Sequence, residues 1–297
     1  MKCLYGLPKS GKLWYEYYQN SLVKEGYLQS KFDPCLFYRV NEEETTHVCL
    51  FVDDTFVFSN SKHNLNKFLS SMEKFYQVSL DTTTESFLGV HFNHLNDGSV
   101  VMTQPKLMQK VLKEYTKIER YVSKKHPYGP PPSAGYEDRY AQSTSCEQRK
   151  YLRLLGLLLY PTKRRPDIMT AVSFGATKAH SPKDLDFRKL LYIVEYLRIT
   201  PEKGHRIYRN EGQPVQLHCT VDASYLLHPD SKGHTGYTIG FYNEGTFYNR
   251  SAKQSLVFTS STHAEMRAIF TLVKDIMYVL SVCVELGINL IMPANRG

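Results

Sequence analysis

Apolar and polar positions fall into blocks along this chain, and each block predicts an element. After Gly6, Pro8 and Gly11, the residues Leu13, Tyr17, Leu22 and Tyr27 recur near helical spacing around Trp14 and Tyr18, which predicts a helix within residues 3–28. Residues 47–52 are rich in Val, Phe, Leu and Cys, and residues 55–58 are β-branched or aromatic. Each run predicts a strand, with Asp53 and Asp54 at the turn between them. Leu65, Phe68, Leu69, Met72 and Phe75 share one face of a helix over 63–76. Residues 86–92 predict a strand with Gly89 at a close backbone approach. Residues 99–103 predict a short strand that leads into a helix from Pro105, where proline fits the first turn. The texture then breaks: residues 121–146 hold four prolines among Gly and Ser and predict an irregular linker. Helices follow at 147–160 and 183–199. From residue 215 the pattern alternates, with Val215, Leu217, Cys219 and Val221 on one strand face and a hairpin turn at Asn243, Glu244 and Gly245. A long helix over 262–286 closes the chain, so the fold class is α+β.

A length of 297 residues suggests two domains, and 42% hydrophobic residues provide for packed cores. The cysteines at 3, 35, 49, 146, 219 and 283 form no CxxC, so neither a zinc site nor a disulfide framework is expected. That usage suits a reducing, intracellular setting. The first residues lack the apolar core of a signal peptide, and the run LRLLGLLLYP is too short to span a membrane. Charge adds one feature. Lys and Arg balance Asp and Glu over 1–120 but outnumber them 17 to 8 over 121–210. A local positive field suits a polyanion such as nucleic acid, while basic residues that merely solubilise helices are the plainer account.

Two acidic constellations carry the candidate chemistry. Asp53 and Asp54 lie between buried strands. Two carboxylates held together repel unless a cation neutralises them, which points to Mg2+ gripping substrate phosphates. The alternative is an ordinary Asp-rich hairpin turn. Asp222 ends a predicted strand and Glu265 begins a predicted helix, a placement from which carboxylates converge at one edge of an α/β layer. The alternatives are a turn role for Asp222 and a capping box from Thr262 to Glu265.

Several segments, in their order, resemble a known family. LYGLPKSGKLWY (4–15), DPCLFYR (33–39), LFVDDTFVFS (50–59), FLGVHF (87–92) and MTQPKLMQKVL (102–112) resemble the reverse transcriptase of copia-type LTR retrotransposons. YLRLLGLLLYPTKRRPDI (151–168) and LLYIVEYLR (190–198) resemble the connecting region of the same polyprotein. VDASYLLHPDSKGHTGY (221–237), SAKQSLVFTSSTHAE (251–265) and VELGI (284–288) resemble its ribonuclease H domain.

The resemblance implies a partial reverse transcriptase of palm and thumb over 1–120, the proline-rich linker over 121–146, a basic helical connection over 147–210 and a partial ribonuclease H-like α/β domain over 211–297. Asp53 and Asp54 would ligate metal at a polymerase centre, and Asp222 and Glu265 would do so at a nuclease centre. Leu7, Lys9, Ser10 and Gly11 would lie by the incoming nucleotide and template, FLGVHF near the primer, and the basic third along the duplex. The implied chemistry is two-metal phosphoryl transfer with Mg2+ or Mn2+. The implied partners are an RNA template and an RNA–DNA hybrid, with a second chain completing the fold as a further expectation, no membrane, and a cytoplasmic or nuclear location.

The departures shape the expected function. The family has Gln where this chain has Lys9, Lys where it has Pro8, and Glu where it has His263. A third polymerase aspartate belongs to a strand before LYGL, and a further nuclease aspartate to a strand after the long helix. Each centre is therefore expected to keep two carboxylates. One function reading is an RNA-directed DNA polymerase with ribonuclease H, incomplete in this stretch. The other is an inactive remnant, or a host-retained protein that binds nucleic acid.

Overall fold

The computed structural model describes residues 7–81, 85–115, 126–128, 143–208, 215–288 and 290–291. The chain divides into two packing units, residues 1–83 with 274–291, and residues 84–273 with 292–297. Most of the expected linker lies outside the described residues.

The first unit opens with α1 (Ser10–Lys24), followed by β1 (Leu28–Gln29), β2 (Leu36–Val40), β3 (Thr45–Phe51), β4 (Asp54–Ser59) and α2 (Lys62–Glu73). The four strands form one antiparallel sheet in chain order, with β4 at an edge. Its core gathers Tyr18, Leu22, Tyr27, Phe37, Val48, Leu50, Phe68 and Met72. The buried face of α1 is Trp14, Tyr18, Ser21 and Leu22, one step round from the expected Leu13 and Tyr17, which are exposed. Ser61 caps α2 by accepting from the Asn64 N–H at 3.2 Å. Thr46, Val48 and Leu50 point to the core, yet His47 on the opposite side of β3 is buried too. That second face is covered from residues 274–288: Cys283 is buried, and Glu285 accepts from the Lys31 N–H at 2.9 Å and from the Ser30 hydroxyl.

The second unit holds β5 (Ser86–Phe87), β6 (Val90–His94), β7 (Val100–Thr103), α3 (Pro105–Glu114), α4 (Gln148–Leu159), α5 (Met169–Ala176), α6 (Asp184–Ile199) and β8 (His205–Ile207). FLGVHF is not one strand. Leu88 and Gly89 take φ of +51° and +75° and turn the chain between β5 and β6. A Cβ on Gly89 would meet nothing within 4 Å, so this glycine supplies a left-handed turn and not the close approach expected. The helices pack around Tyr151, Leu154, Leu158, Ile168, Val172, Leu190, Ile193 and Tyr196, with Val111 of α3 joining them.

A meander of β9 (Val215–Ser224), β10 (His234–Phe241) and β11 (Gly245–Lys253) follows, all antiparallel. The 25-residue α7 (Ser261–Glu285) leads to β12 (Leu290–Ile291). Ala264, Ala268 and Leu272 are buried in its first half.

The basic middle third is less free than its count implied. Arg165, only 6% exposed, bonds Asp167 and the Thr200 carbonyl. Arg153 pairs with Glu114, Arg198 with Glu195, and Arg206 with Asp97. Four of its arginines are thus taken up in ion pairs within the unit.

Candidate functional site

Phe51 pairs with Asp54 across the β3–β4 hairpin, so the loop is Val52 and Asp53 alone. The acidic pair does not sit wholly in the turn as expected. Asp53 is the second loop residue and Asp54 the first residue of β4. Both side chains are exposed. Among the described residues neither takes a protein hydrogen bond or ion pair. Two exposed carboxylates at neighbouring positions are hard-oxygen donors of the kind a divalent cation takes.

The turn is strained. Val52 is β-branched and sits at φ +53°, a conformation that costs about 1–3 kcal/mol and persists only when its surroundings hold it. The Trp14 indole N–H donates to the Val52 carbonyl at 2.9 Å. The Tyr18 hydroxyl bonds Thr55 Oγ1 at 3.0 Å, just beyond the acidic pair. Burial holds the Tyr18 phenol above its ordinary pKa, so at neutral pH it stays a neutral hydroxyl. Tyr76 stands 5.4 Å from both the Trp14 and Tyr18 rings, and its hydroxyl meets Ser21 Oγ at 2.8 Å.

The segment of Leu7, Lys9, Ser10 and Gly11 begins α1. The Ser10 N–H donates to the Leu7 carbonyl at 3.0 Å, and the Leu13 N–H to the Lys9 carbonyl at 3.1 Å. Ser10 precedes Trp14 by four residues and shares its helix face. The same helix thus carries this segment and grips the acidic turn.

The second constellation also comes together. Asp222 lies on the exposed side of β9 opposite Gly236, where an added Cβ would find open space. Glu265 Oε1 accepts from the Ala223 N–H at 3.3 Å, which sets it beside Asp222. The Thr262 capping box is not formed. Ser260 Oγ accepts from the His263 N–H at 3.3 Å, which leaves Glu265 turned to the strand. Among the described residues no group of three or more His, Cys, Asp and Glu side chains could hold a metal ion. A pair of carboxylates at each place is what the chain itself offers.

Sequence reasoning missed the supports of these sites. A lone tryptophan four residues past Ser10 was the available signal for the first. Nothing local announces the Glu265 contact, since it joins residues 42 apart.

A family model described as reverse transcriptase (RNA-dependent DNA polymerase) matches residues 1–127. The retrovirus-related Pol polyprotein from transposon RE1 of Arabidopsis thaliana is 26% identical over 98% of this chain. The chain is related to retrotransposon Pol polyproteins. The Pol polyprotein from transposon TNT 1-94 of Nicotiana tabacum is 25% identical over 97% of it, and the transposon Ty1-ER2 Gag-Pol polyprotein of Saccharomyces cerevisiae 27% over 90%. The chain spans about a fifth or less of the length of these proteins, 19% for RE1, 22% for TNT 1-94 and 16% for Ty1-ER2. No solved structure matches it significantly. The matched 1–127 stretch contains the strained turn and α1, and ends before Asp222. No helix among the described residues is long and apolar enough to cross a membrane.

Proposed function

We propose that this chain is the reverse transcriptase and ribonuclease H stretch of a copia-type Pol polyprotein, acting on RNA and RNA–DNA hybrid. The observation that carries the reading is the FVDD hairpin tip. The turn that bears its two carboxylates is tied to α1 through the Val52 carbonyl, inside the segment that matches the reverse transcriptase model. Residues 1–120 would serve as palm and thumb, 121–146 as linker, 147–210 as connection and 211–297 as nuclease domain, in a cytoplasmic or nuclear setting.

The donor set fits Mg2+ or Mn2+, with Asp53 and Asp54 holding it at one centre and Asp222 and Glu265 at the other. Bound there, the cation supplies charge neutralisation and Lewis acidity toward phosphate oxygens. Lys9 and the first turn of α1 would orient nucleotide and template, because backbone N–H groups and a cation favour phosphate. Exposed lysines and arginines of 147–210 would follow the duplex backbone. A second chain completing the fold has no observation in its favour among the described residues and forms no part of the proposal.

Primer extension on an RNA template with Mg2+ or Mn2+ tests the reading. Asp53→Asn is expected to lower the rate by about 100-fold or more. Extension at the unaltered rate in that variant overturns the assignment. Among the described residues two carboxylates stand at each place, and this supports a second reading, in which the chain binds nucleic acid without catalysis. That reading expects no extension but a heteroduplex affinity that falls steeply with salt. Binding indifferent to salt overturns it.

A further inference from the structure

The turn that carries the acidic pair is held in a shape its own sequence resists. Val52 stands at φ +53°, where a β-branched side chain crowds the backbone and glycine would be the ordinary occupant. Packing of the turn itself does not hold it, since Val52 is 63% exposed. The hold comes from α1. The Trp14 indole N–H reaches 38 residues along the chain to the Val52 carbonyl at 2.9 Å. The indole is braced in turn by Tyr18 at 5.8 Å and Tyr76 at 5.4 Å, each tied by its hydroxyl to a neighbour, Thr55 and Ser21. The chain uses the same device at a separate turn. Leu88, at φ +51°, has its carbonyl taken by the Tyr160 hydroxyl at 3.1 Å. In both turns an aromatic donor fixes a left-handed residue that is not glycine.

We propose that Trp14 is a positioning residue for the acidic pair. Its indole N–H selects the left-handed turn that presents Asp53 and Asp54 together, and so sets their affinity for a divalent cation. The inference rests on the reading of Asp53 and Asp54 as cation ligands given above. A ring placed only to fill space between Tyr18 and Tyr76 has no need of the N–H, so Trp14→Phe separates the two roles.

Trp14 is the sole tryptophan of the chain, so a single indole proton reports the clamp without any variant. In the full chain that proton is expected to exchange with solvent on the order of tenfold more slowly than in free tryptophan, as one hydrogen bond confers. Exchange at the free rate overturns the clamp. Mn2+ binding, followed by the EPR signal of the free ion in a parent that carries Asp222→Asn and Glu265→Gln so that only the first pair is read, supplies the second readout. Trp14→Phe is expected to weaken Mn2+ about fivefold, the effect of one neutral hydrogen bond. In a Val52→Gly background, where the left-handed turn needs no help, the same change is expected to matter less than about twofold. Unaltered affinity in Trp14→Phe, or an equal loss in both backgrounds, overturns the proposal. An Asp53→Asn/Asp54→Asn variant that binds Mn2+ like the parent overturns the cation reading instead, and the indole proton alone then decides the clamp.

Discussion

Acidification is expected to loosen α5 from the β9–β11 meander, because two buried imidazoles there must stay neutral. His228 and His234 are 5% and 6% exposed. Their rings share a hydrogen bond at 3.0 Å, and His234 Nε2 meets Ser251 Oγ at 2.7 Å. Phe174 of α5 stacks on both, 5.0 and 4.8 Å between ring centres. Burial, and then the neighbouring His228, push the His234 pKa down to about 4. Burial also lowers His228, with Lys253 and Lys178 adding to the effect and Asp230 opposing it. Above pH 6.5 the rings are neutral in folded and unfolded chains alike, and nothing is lost. Below it the unfolded chain takes up protons that the fold refuses until about pH 4. The loss for His234 grows by about 1.4 kcal/mol per pH unit, or roughly 3 kcal/mol by pH 4.5. Hydrogen exchange of residues 169–176 and 234–241, corrected for intrinsic rate, is expected to show about 100-fold more opening at pH 4.5 than at pH 7. Trp14 belongs to the other packing unit, so its fluorescence serves as an internal control. Unchanged protection at pH 4.5, or full acid sensitivity surviving in His234→Gln, refutes the reasoning.

Two further perturbations probe packing. Arg165→Met leaves Asp167 and the Thr200 carbonyl without their buried cation, so denaturant unfolding is expected to show a loss of about 3–5 kcal/mol; a loss below about 1 kcal/mol contradicts that role. Although burial alone would raise the Asp167 pKa, the Arg165 hydrogen bonds and charge hold it below its ordinary value, consistent with an ion pair that works as a unit. On β10, Gly240→Ala would set a Cβ 2.3 Å from the Gly245 carbonyl, whereas Gly236→Ala meets open space. Thermal melts are expected to show the first destabilised by about 1–3 kcal/mol or more and the second near neutral; equal effects would sink the geometry.

The elements that could be read from the sequence are those whose burial is local. The β3–β4 hairpin stood out because each strand carries a dense apolar run, residues 48–51 and 56–58, and α3 because Pro105 marks its start. What escaped depends on distant partners. β8 is three residues long and exists by pairing with β7, about a hundred residues earlier. α5 reads MTAVSFGA, with Thr, Val and Gly opposing helix, and forms because Val172 fills a shared core. FLGVHF misled because a two-residue strand shows no alternation, although its Leu-Gly dipeptide marks a turn. At the candidate sites the carboxylates were legible as motifs. Trp14 as the support of Val52, and Ser260 in place of Thr262 as helix cap, required the chain to be folded.

The partner of Lys31 sets an order of birth for the fold. Glu285 lies 254 residues downstream, so on a ribosome it arrives roughly 10–50 s later. Over that interval the β1–β4 sheet waits with the side bearing His47 uncovered, while residues 84–273 have time to close their own core. The β1–β4 sheet is thus made before residues 84–273 and finished after them. A premature stop shortly before residue 274 would then harm the β1–β4 sheet far upstream, leaving it prone to aggregate while residues 84–273 keep their own core.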